Sequence, residues 1–482
     1  MNGEKMIQIL GKECLFDNYL LDTEKTTAPH LLHHPVKKEL TMTFDRSWEG
    51  DAISYPNFFY DPECRIYRMY YISWWKPNPA EEPQLPEHTN FFVCYAESKD
   101  GLTWERPNVG LCEWQGSTDN NIILWKPHFD NFYVFYDTNP DCKPGERYKA
   151  VASSAGTGEP KKLDYYVSTD AVHFVHTGEL TRDGEFDSLN IVFYDEHSQK
   201  YRCYFRGHYS AEKPRPITYI ESKTFEPGSW SEAVDLTYEG AVEEVHLYTN
   251  VIQPYDNSSP LFVGMPTRYV ERRNWTATYD EMPAREKRLG RMKYHWRYGL
   301  AITDCLFMCS RDGINFRRYD NAFLRPCPED GTNWVYGDCY PAVGFLKTPP
   351  VRAGSADELS IFVLEDEWMY TYQTLYRYAL RQDGFVSLHA DESERVVVTK
   401  PFVFEGDELY ANMETSAWGH IYFALIDENG ERMESIEVFG NSIAKRVHFP
   451  TGPVNRWQNK VVRLEARMVD ADLYTIAFKK ND

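Results

Sequence analysis

The chain has 482 residues, of which 42% are hydrophobic and 15% aromatic, so it has enough apolar material for more than one domain. A formal net charge of −21 argues against nucleic acid or an anionic membrane as a partner. No apolar run approaches the roughly 18 residues that a membrane-spanning helix needs.

The N-terminus and the cysteines both favour a cytoplasmic protein. No basic region followed by a long apolar stretch opens the chain, so no signal peptide is expected. The ten cysteines are scattered. Cys305 and Cys309 are not followed by a second close pair, so a zinc site is not expected and buried reduced thiols are the better interpretation.

A short turn of the form Ser-x-Asp-Gly-x-x-aromatic recurs along the chain. Its clearest copies are residues 98–104 and 310–316, and worn copies occupy 168–174 and 381–385. The spacing is about 70 residues, with one copy replaced by the segment 222–230. Asp-Gly between aromatic-rich runs predicts tight hairpins, so these turns are expected to be structural.

Each repeat has the composition of a four-stranded sheet, and five such sheets predict a five-bladed β-propeller. A second repeated signal, aromatic-Tyr-Asp or Pro-Tyr-Asp, predicts the ends of the inner strands at Asp61, Asp137, Asp195 and Asp256. Blades are expected at 46–115, 120–180, 181–238, 239–325 and 330–392. Residues 1–45 are expected to pack beside the first blade or to help close the ring.

Two segments depart from the repeat. The basic segment 271–299 interrupts the fourth blade and is too long for a hairpin loop, so it is expected to be a subunit contact, a lid or a site for an acidic substituent. A solvated or oligomeric role is favoured, which leaves a homo-oligomer open. Residues 395–482 alternate in short strands, which predicts a β-sandwich packed on the propeller.

Carboxylates mark the predicted starts of the inner strands, where a propeller gathers side chains around its central channel. Acidic side chains aimed at one cavity raise each other's pKa, which is the arrangement that acid–base catalysis needs. These carboxylates are Asp51, Asp130, Asp187, Glu243 or Glu244, and Asp338.

With these carboxylates in place, the chain resembles the five-bladed propeller glycosidases of glycoside hydrolase families 32, 43 and 68. It is similar in particular to a bacterial group described as glycosyl hydrolase family 32-like, through residues 100–108, 120–124, 147–149 and 380–388. The family 32 enzymes also carry a C-terminal β-sandwich. The Trp-x-Asn-Asp-Pro-Asn, Arg-Asp-Pro and Glu-Cys signatures of family 32 are absent from this chain.

The resemblance implies a glycosidase with three inner-strand carboxylates. Asp51 would be nucleophile or base, Asp187 would orient the transition state, and Glu244 would be the general acid, with Glu243 competing for the inward position. An oligosaccharide is the expected partner, and exo-action is expected. The residues expected to bind substrate are Trp48, Asp130, Arg206, His208, His246, Tyr248, Trp334 and Asp338.

Two alternatives remain at this stage. A sugar phosphorylase on a similar propeller would need an arginine and histidine cluster next to the acids, for which Arg206, His208 and Arg268 are candidates. A non-catalytic carbohydrate-binding propeller would need no pair of acids. No cofactor is expected, and a structural metal ion in the central channel stays open as an alternative.

Overall fold

The computed structural model describes residues 6–75, 91–125, 131–154, 161–210, 212–256, 259–350, 352–368 and 371–480. These residues are nearly all β. Five sheets follow one another along the chain, and a sixth is built from both ends of the chain. Within the described residues, no helix is long and apolar enough to span a membrane.

The first three sheets each have four antiparallel strands in chain order. The first consists of Ala52–Asp61, Ile66–Trp74, Phe92–Ser98 and Ile122–Trp125. The second consists of Phe132–Tyr136, Tyr148–Ser154, Lys162–Ser168 and Val175–Thr181. The third consists of Ile191–Asp195, Lys200–Arg206, Ile217–Ser222 and Val234–Asp235.

The fourth sheet has seven strands and carries the basic segment. Its strands are Thr237–Glu239, His246–Leu247, Gln253–Asp256, Leu261–Gly264, Thr267–Val270, Ile302–Ser310 and Asn315–Leu324. Between the fifth and sixth of these the chain forms three short helices, Ala277–Glu281, Arg285–Met292 and Arg297–Leu300.

The fifth sheet is completed by a strand from the other end of the chain. It contains Tyr340–Pro341, Leu346–Thr348, Glu358–Glu365 and Gln373–Arg381. Its outer strand is Val36–Phe44, which pairs antiparallel with Gln373–Arg381. The pairing joins the start of the chain to the last repeat, as closure of a ring requires.

Buried side chains and backbone hydrogen bonds link each of these sheets to the next. Asn57, Asn131 and Asn250 each donate from the side-chain amide to a backbone carbonyl of a neighbouring sheet: Asn57 to Phe132, Asn131 to Phe186, and Asn250 to Leu189. The Thr303 hydroxyl donates to the Asp338 carbonyl at 2.8 Å. Phe58 and Val343 join the fifth sheet to the first. The result is a propeller-like ring in which four blades are recognisable.

Two aspartates of the inner-strand signal, Asp61 and Asp137, are also buried links. Asp61 accepts from Arg68 of its own sheet at 2.6 Å and from the hydroxyl of Tyr148 in the second sheet at 2.8 Å. Asp137 is shared in the same way between Lys149 and the Tyr201 hydroxyl of the third sheet. Buried carboxylates need such partners, so this repeated motif fixes neighbouring sheets to each other.

The predicted Asp-Gly turns are confirmed as structural. In the first copy, Asp100 Oδ1 accepts the backbone N–H groups of Leu102 and Thr103, and the Ser98 hydroxyl accepts that of Gly101. The same bonds recur around Asp170 and Asp312. The hydrogen bonds of these side chains therefore stabilise the hairpins.

The sixth sheet has ten strands and a core of its own. Its longest strands, Glu408–Asp427 and Val462–Lys479, pair with each other, with a register break between Thr415 and His420. The others are Ile7–Ile9, Lys12–Cys14, His30–Leu32, Val386–Ala390, Arg395–Val398, Phe402–Phe404, Arg432–Glu434 and Asn441–Arg446. A single 3-10 turn, Val454–Trp457, precedes the last strand. The predicted C-terminal unit therefore shares its sheet with N-terminal strands.

Candidate active site

Asp187 and Arg206 form an ion pair at the start of the third sheet's inner strand. Arg206 Nη1 donates to Asp187 Oδ1 at 2.8 Å, and its Nη2 donates to the backbone carbonyl of Tyr248 at 2.7 Å. The Arg206 side chain is 3% exposed, whereas that of Asp187 is 23% exposed. Lys161 Nζ stands 3.7 Å from the second oxygen. Arg206 thus fixes one carboxylate oxygen, and the other is partly exposed at ion-pair distance from Lys161.

Around this pair lies a group of rings and guanidinium groups that we call the tyrosine–arginine cluster. Tyr248 is at its centre, with its ring 4.9 Å from that of Tyr269 and 5.5 Å from that of Tyr336. The Arg206 guanidinium lies 4.3 Å from the Tyr248 ring. The cluster consists of Arg206, Arg215, Tyr248, Tyr269, Arg297, Tyr298 and Tyr336.

The basic segment contributes directly to this cluster. Arg297 Nη1 donates to the Tyr248 hydroxyl at 3.3 Å, and Nη2 donates to the Tyr298 hydroxyl at 3.2 Å. Arg288 is 2% exposed and donates to the backbone carbonyl of Trp334 at 3.0 Å. The expectation that this segment is mainly solvated is therefore wrong for these arginines. Its apolar side chains, Tyr279 and Met282 among them, form a small core that holds the three helices in place.

Asp51 directly precedes the inner strand of the first sheet and is 7% exposed. Gly50 before it has φ +68°, and a Cβ there would stand 2.2 Å from the Trp74 carbonyl oxygen, so only glycine fits this entry. Further along the same strand, Tyr55 sits at a register shift with φ +52°. Burial acts to lower the pKa of Arg206, but Asp187, Tyr248 and also Tyr55 raise it above its ordinary value, so Tyr55 of the first sheet lies within electrostatic range of this arginine.

Asp338 is buried in the loop before Tyr340–Pro341 and accepts the Val335 N–H at 3.0 Å. Burial raises the pKa of Asp338 from 3.8 to about 8. The Val335 hydrogen bond lowers this pKa, and the negative charge of Glu367 raises it. Gly337 has φ +114°, and a Cβ there would lie 2.4 Å from Glu367 Cγ. Asp338 also lines a small cleft with Arg325, Asn333, Glu365 and Tyr378.

Glu243 and Glu244 lie in an exposed stretch before the strand His246–Leu247. The Glu243 carbonyl accepts from Arg318 at 2.6 Å. Within the described part of the chain, the Glu244 side chain forms no hydrogen bond or ion pair. The structure does not bring Glu244 into contact with Asp187, while Tyr248, four residues later, lies in the cluster.

His246 is oriented by Arg215. Both the backbone N–H and the Nη1 of Arg215 face His246 Nδ1, at 3.1 and 3.2 Å. Since Nδ1 is the acceptor, the ring proton is on Nε2. Burial lowers the pKa of His246, and the positive charge of Arg215 lowers it further.

The remaining predicted residues lie outside the cluster or outside the described residues. The Trp48 indole N–H donates to Asn121 at 2.6 Å, and that of Trp334 donates to the Cys327 carbonyl at 2.9 Å. The His208 side chain is 63% exposed and pairs with Glu185 at 2.9 Å, which raises its pKa. Asp130 lies outside the described residues.

Sequence reasoning missed several members of the site, namely Tyr55, Arg215, Tyr269, Arg297 and Tyr298. Arg297 lies in the basic segment, whose charge was the only signal available for it. The described residues contain no group of three His, Cys, Asp or Glu side chains that could hold a metal ion.

No family model and no curated protein matches this chain. The solved structures that this chain matches include a thermostable family-43 glycoside hydrolase, with 12% identity over 72% of this chain and 92% of that chain, at a TM-score of 0.42. An endo-arabinase from Bacteroides thetaiotaomicron has 10% identity over 71% and 98%, at 0.40. A family-32 β-fructofuranosidase of Bombyx mori has 7% identity over 94% and 95%, at 0.39.

Proposed function

We propose that this protein is a glycoside hydrolase that cleaves a glycosidic bond in a small oligosaccharide. The observation that carries the proposal is the Asp187–Arg206 pair, a partly exposed carboxylate fixed by a buried cation among tyrosines. Proteins bind sugars with aromatic rings beside carboxylates, because the rings pack against the C–H faces and the carboxylates accept hydrogen bonds from the hydroxyl groups. We further propose that the five sheets are five blades, in agreement with the links from each to the next, and that the sixth sheet folds over its core as a sandwich.

In this mechanism Asp187 orients the sugar. Arg206 holds Oδ1, and the second oxygen, with Lys161 Nζ 3.7 Å away, would accept a substrate hydroxyl. Because the arginine is buried and also bonded to the Tyr248 carbonyl, the carboxylate is held rigidly, as stabilisation of a transition state requires.

Asp51 is the proposed nucleophile or base. It lies directly before the first inner strand, Ala52–Asp61, and Asp187 lies in the segment that leads into the third, Ile191–Asp195. The separation of the two reacting carboxyl groups would decide the stereochemistry, about 5–5.5 Å for retention and about 6.5–9.5 Å for inversion.

Two carboxyl groups compete for the role of general acid. Glu244 is the group that the resemblance implies, and its exposure leaves it free to approach a substrate. Asp338, with a pKa of about 8, keeps its proton at neutral pH and is therefore already in the form that a proton donor needs. Exo-action, with Trp48, Trp334, His208 and His246 contributing to sugar binding, is part of the proposal.

A sugar phosphorylase is the second candidate, and one observation favours it. Arg206, Arg215 and Arg297 lie around the Tyr248 ring, with His246 against Arg215 and Arg206 on Asp187, and phosphate would require such an arginine and histidine cluster. A propeller that binds carbohydrate without catalysis is the third possibility. The assay described next distinguishes it from the two enzymes.

The test is an NMR assay that resolves products from furanosides and pyranosides, including arabinosides, xylosides, fructosides and galactofuranosides, with and without phosphate. We expect phosphate-independent release that falls at least about 10³-fold in Asp187→Asn and in Asp51→Asn. Glu244→Gln and Asp338→Asn are compared to assign the acid, with Glu243→Gln as the matched control. Full turnover by both aspartate variants would refute the mechanism, and binding without turnover in wild type would favour the non-catalytic alternative.

A further inference from the structure

Two arginines of the cluster have no acidic partner. Arg206 is paired with Asp187, but within the described residues neither Arg215 nor Arg297 forms an ion pair with a carboxylate. Both are partly buried, and the Nε of each is buried without a hydrogen-bond partner. Charged groups in such surroundings are normally paired, so this excess of positive charge in a chain of net charge −21 needs an explanation.

The two guanidinium groups lie around the same rings. That of Arg215 is 5.0 Å from the Tyr248 ring and 5.5 Å from the Tyr269 ring. That of Arg297 is 5.4 Å from the Tyr336 ring and donates to the Tyr248 hydroxyl. The Tyr269 hydroxyl, in a residue that is 2% exposed, also has no hydrogen-bond partner within the described residues. The two guanidinium groups thus both lie beside Tyr248, and the unpartnered Tyr269 hydroxyl belongs to a ring beside Arg215.

One further donor stands beside them. With Nδ1 of His246 accepting from Arg215, the Nε2–H is the free donor of that ring. The carboxylate of Glu271, two residues after Tyr269, pairs with Arg273 at 3.0 Å and not with Arg215 or Arg297.

We propose that Arg215 and Arg297, with the Nε2–H of His246, bind an oxyanion. Guanidinium groups bind carboxylate, sulfate and phosphate with charge-assisted hydrogen bonds, whereas a neutral sugar hydroxyl leaves their charge unbalanced. The oxyanion is either an acidic substituent on the glycan or inorganic phosphate. Assigning it to a substrate rests on the glycosidase function proposed above.

Binding is measured first, because it does not depend on turnover. Calorimetric titrations with inorganic phosphate, sulfate and D-glucuronate at fixed ionic strength are run on wild type, Arg215→Gln and Arg297→Gln. Loss of a charge-assisted bond is expected to weaken binding about 10-fold or more in each variant. Arg297→Lys, which keeps the charge, is expected to recover part of the affinity.

The matched control is Arg285→Gln, which removes one charge from the same basic segment. Arg285 pairs with Asp280 at 2.9 Å on the exposed face, away from the tyrosines. The anion affinity of the Arg285→Gln variant is expected to equal that of wild type. Thermal unfolding of every variant identifies those that fail to fold, and for these Arg297→Lys supplies the comparison.

Turnover then distinguishes the two sources of the oxyanion. Matched pairs of neutral glycosides and uronides are followed by NMR, with and without phosphate. Preference for the uronide assigns the subsite to the glycan, and release of a glycosyl phosphate assigns it to phosphate. If the variants lose anion binding and no protein, wild type included, shows turnover, the oxyanion subsite is supported and the glycosidase function is rejected. Cleavage of neutral glycosides at equal rates in wild type and both glutamine variants, without anion binding, would overturn the subsite and retain the glycosidase.

Discussion

Replacing Asp338 by asparagine is expected to change how stability depends on pH. The carboxyl group is buried, and its pKa of about 8 in the folded protein compares with 3.8 for an ordinary aspartate. The folded state therefore holds a proton that the unfolded state releases between these values. Stability from this group is fully present below about pH 4 and is lost as pH rises toward 8.

The size of the effect follows from the shift. The interval between the unfolded-state pKa of 3.8 and pH 7 is about three pH units, and each unit corresponds to about 1.36 kcal/mol. Ionisation of Asp338 in the unfolded state therefore lowers the free energy of unfolding by about 4 kcal/mol at pH 7 relative to pH 4. Asparagine does not ionise, and its side-chain oxygen can accept the same Val335 N–H. The variant is therefore expected to be nearly as stable as wild type at pH 4 and several kcal/mol more stable at pH 7.

Urea unfolding followed by tryptophan fluorescence at several pH values between 4 and 8.5 measures the difference. Asp357→Asn, at an exposed position, is the control and is expected to follow wild type at every pH. Parallel stability curves for wild type and Asp338→Asn would refute the argument from burial, because they would mean that the folded protein holds no extra proton at Asp338.

Three further variants test the contacts that build the site. Arg206→Gln leaves Asp187 without its buried partner and is expected to lower the free energy of unfolding by about 3 kcal/mol, and the added Asp187→Asn change should recover stability but not turnover. Gly337→Ala drives a Cβ against Glu367 at positive φ and should cost about 1–3 kcal/mol, seen as a lower urea midpoint. Asn131→Ala removes a link between the second and third sheets and should cost about 1–3 kcal/mol by the same assay.

Each of these variants has a control elsewhere in the chain. Arg285→Gln lies on the exposed face of the basic segment. Gly354→Ala has positive φ but nothing within 4 Å, so it isolates the backbone strain from the steric contact. Asn455→Ala removes an exposed asparagine. If a control lost as much stability as its partner, the specific contact would not be the cause.

The sequence predicted local features well where one short segment determines them. In the Asp100 turn, the side chain bonds N–H groups two and three residues further on, so the motif contains its own partners. The ends of the inner strands at Asp61 and Asp195 were predicted for the same reason, since the repeated signal lies within one strand. What the sequence did not indicate is that Asp61 also binds Tyr148 of the next sheet.

The candidate site was predicted only in part. Asp187 lies before the third inner strand, Arg206 ends the second strand of that sheet, and Tyr248 directly follows His246–Leu247. The structure brings these three together. Arg215 and Arg297 come from a loop and from the helical segment, whose positions depend on packing that has no short-range signature.

By itself, the sequence determined the β character of the chain, the 70-residue period of its turns and the strand ends, because period-2 alternation and Asp-Gly turns act over a few residues. Only the tertiary structure decided that Val36–Phe44 completes the last sheet and that the basic segment reaches Tyr248. Both depend on residues far apart in sequence, where the free energy of burying apolar surface and pairing charges outweighs local preference.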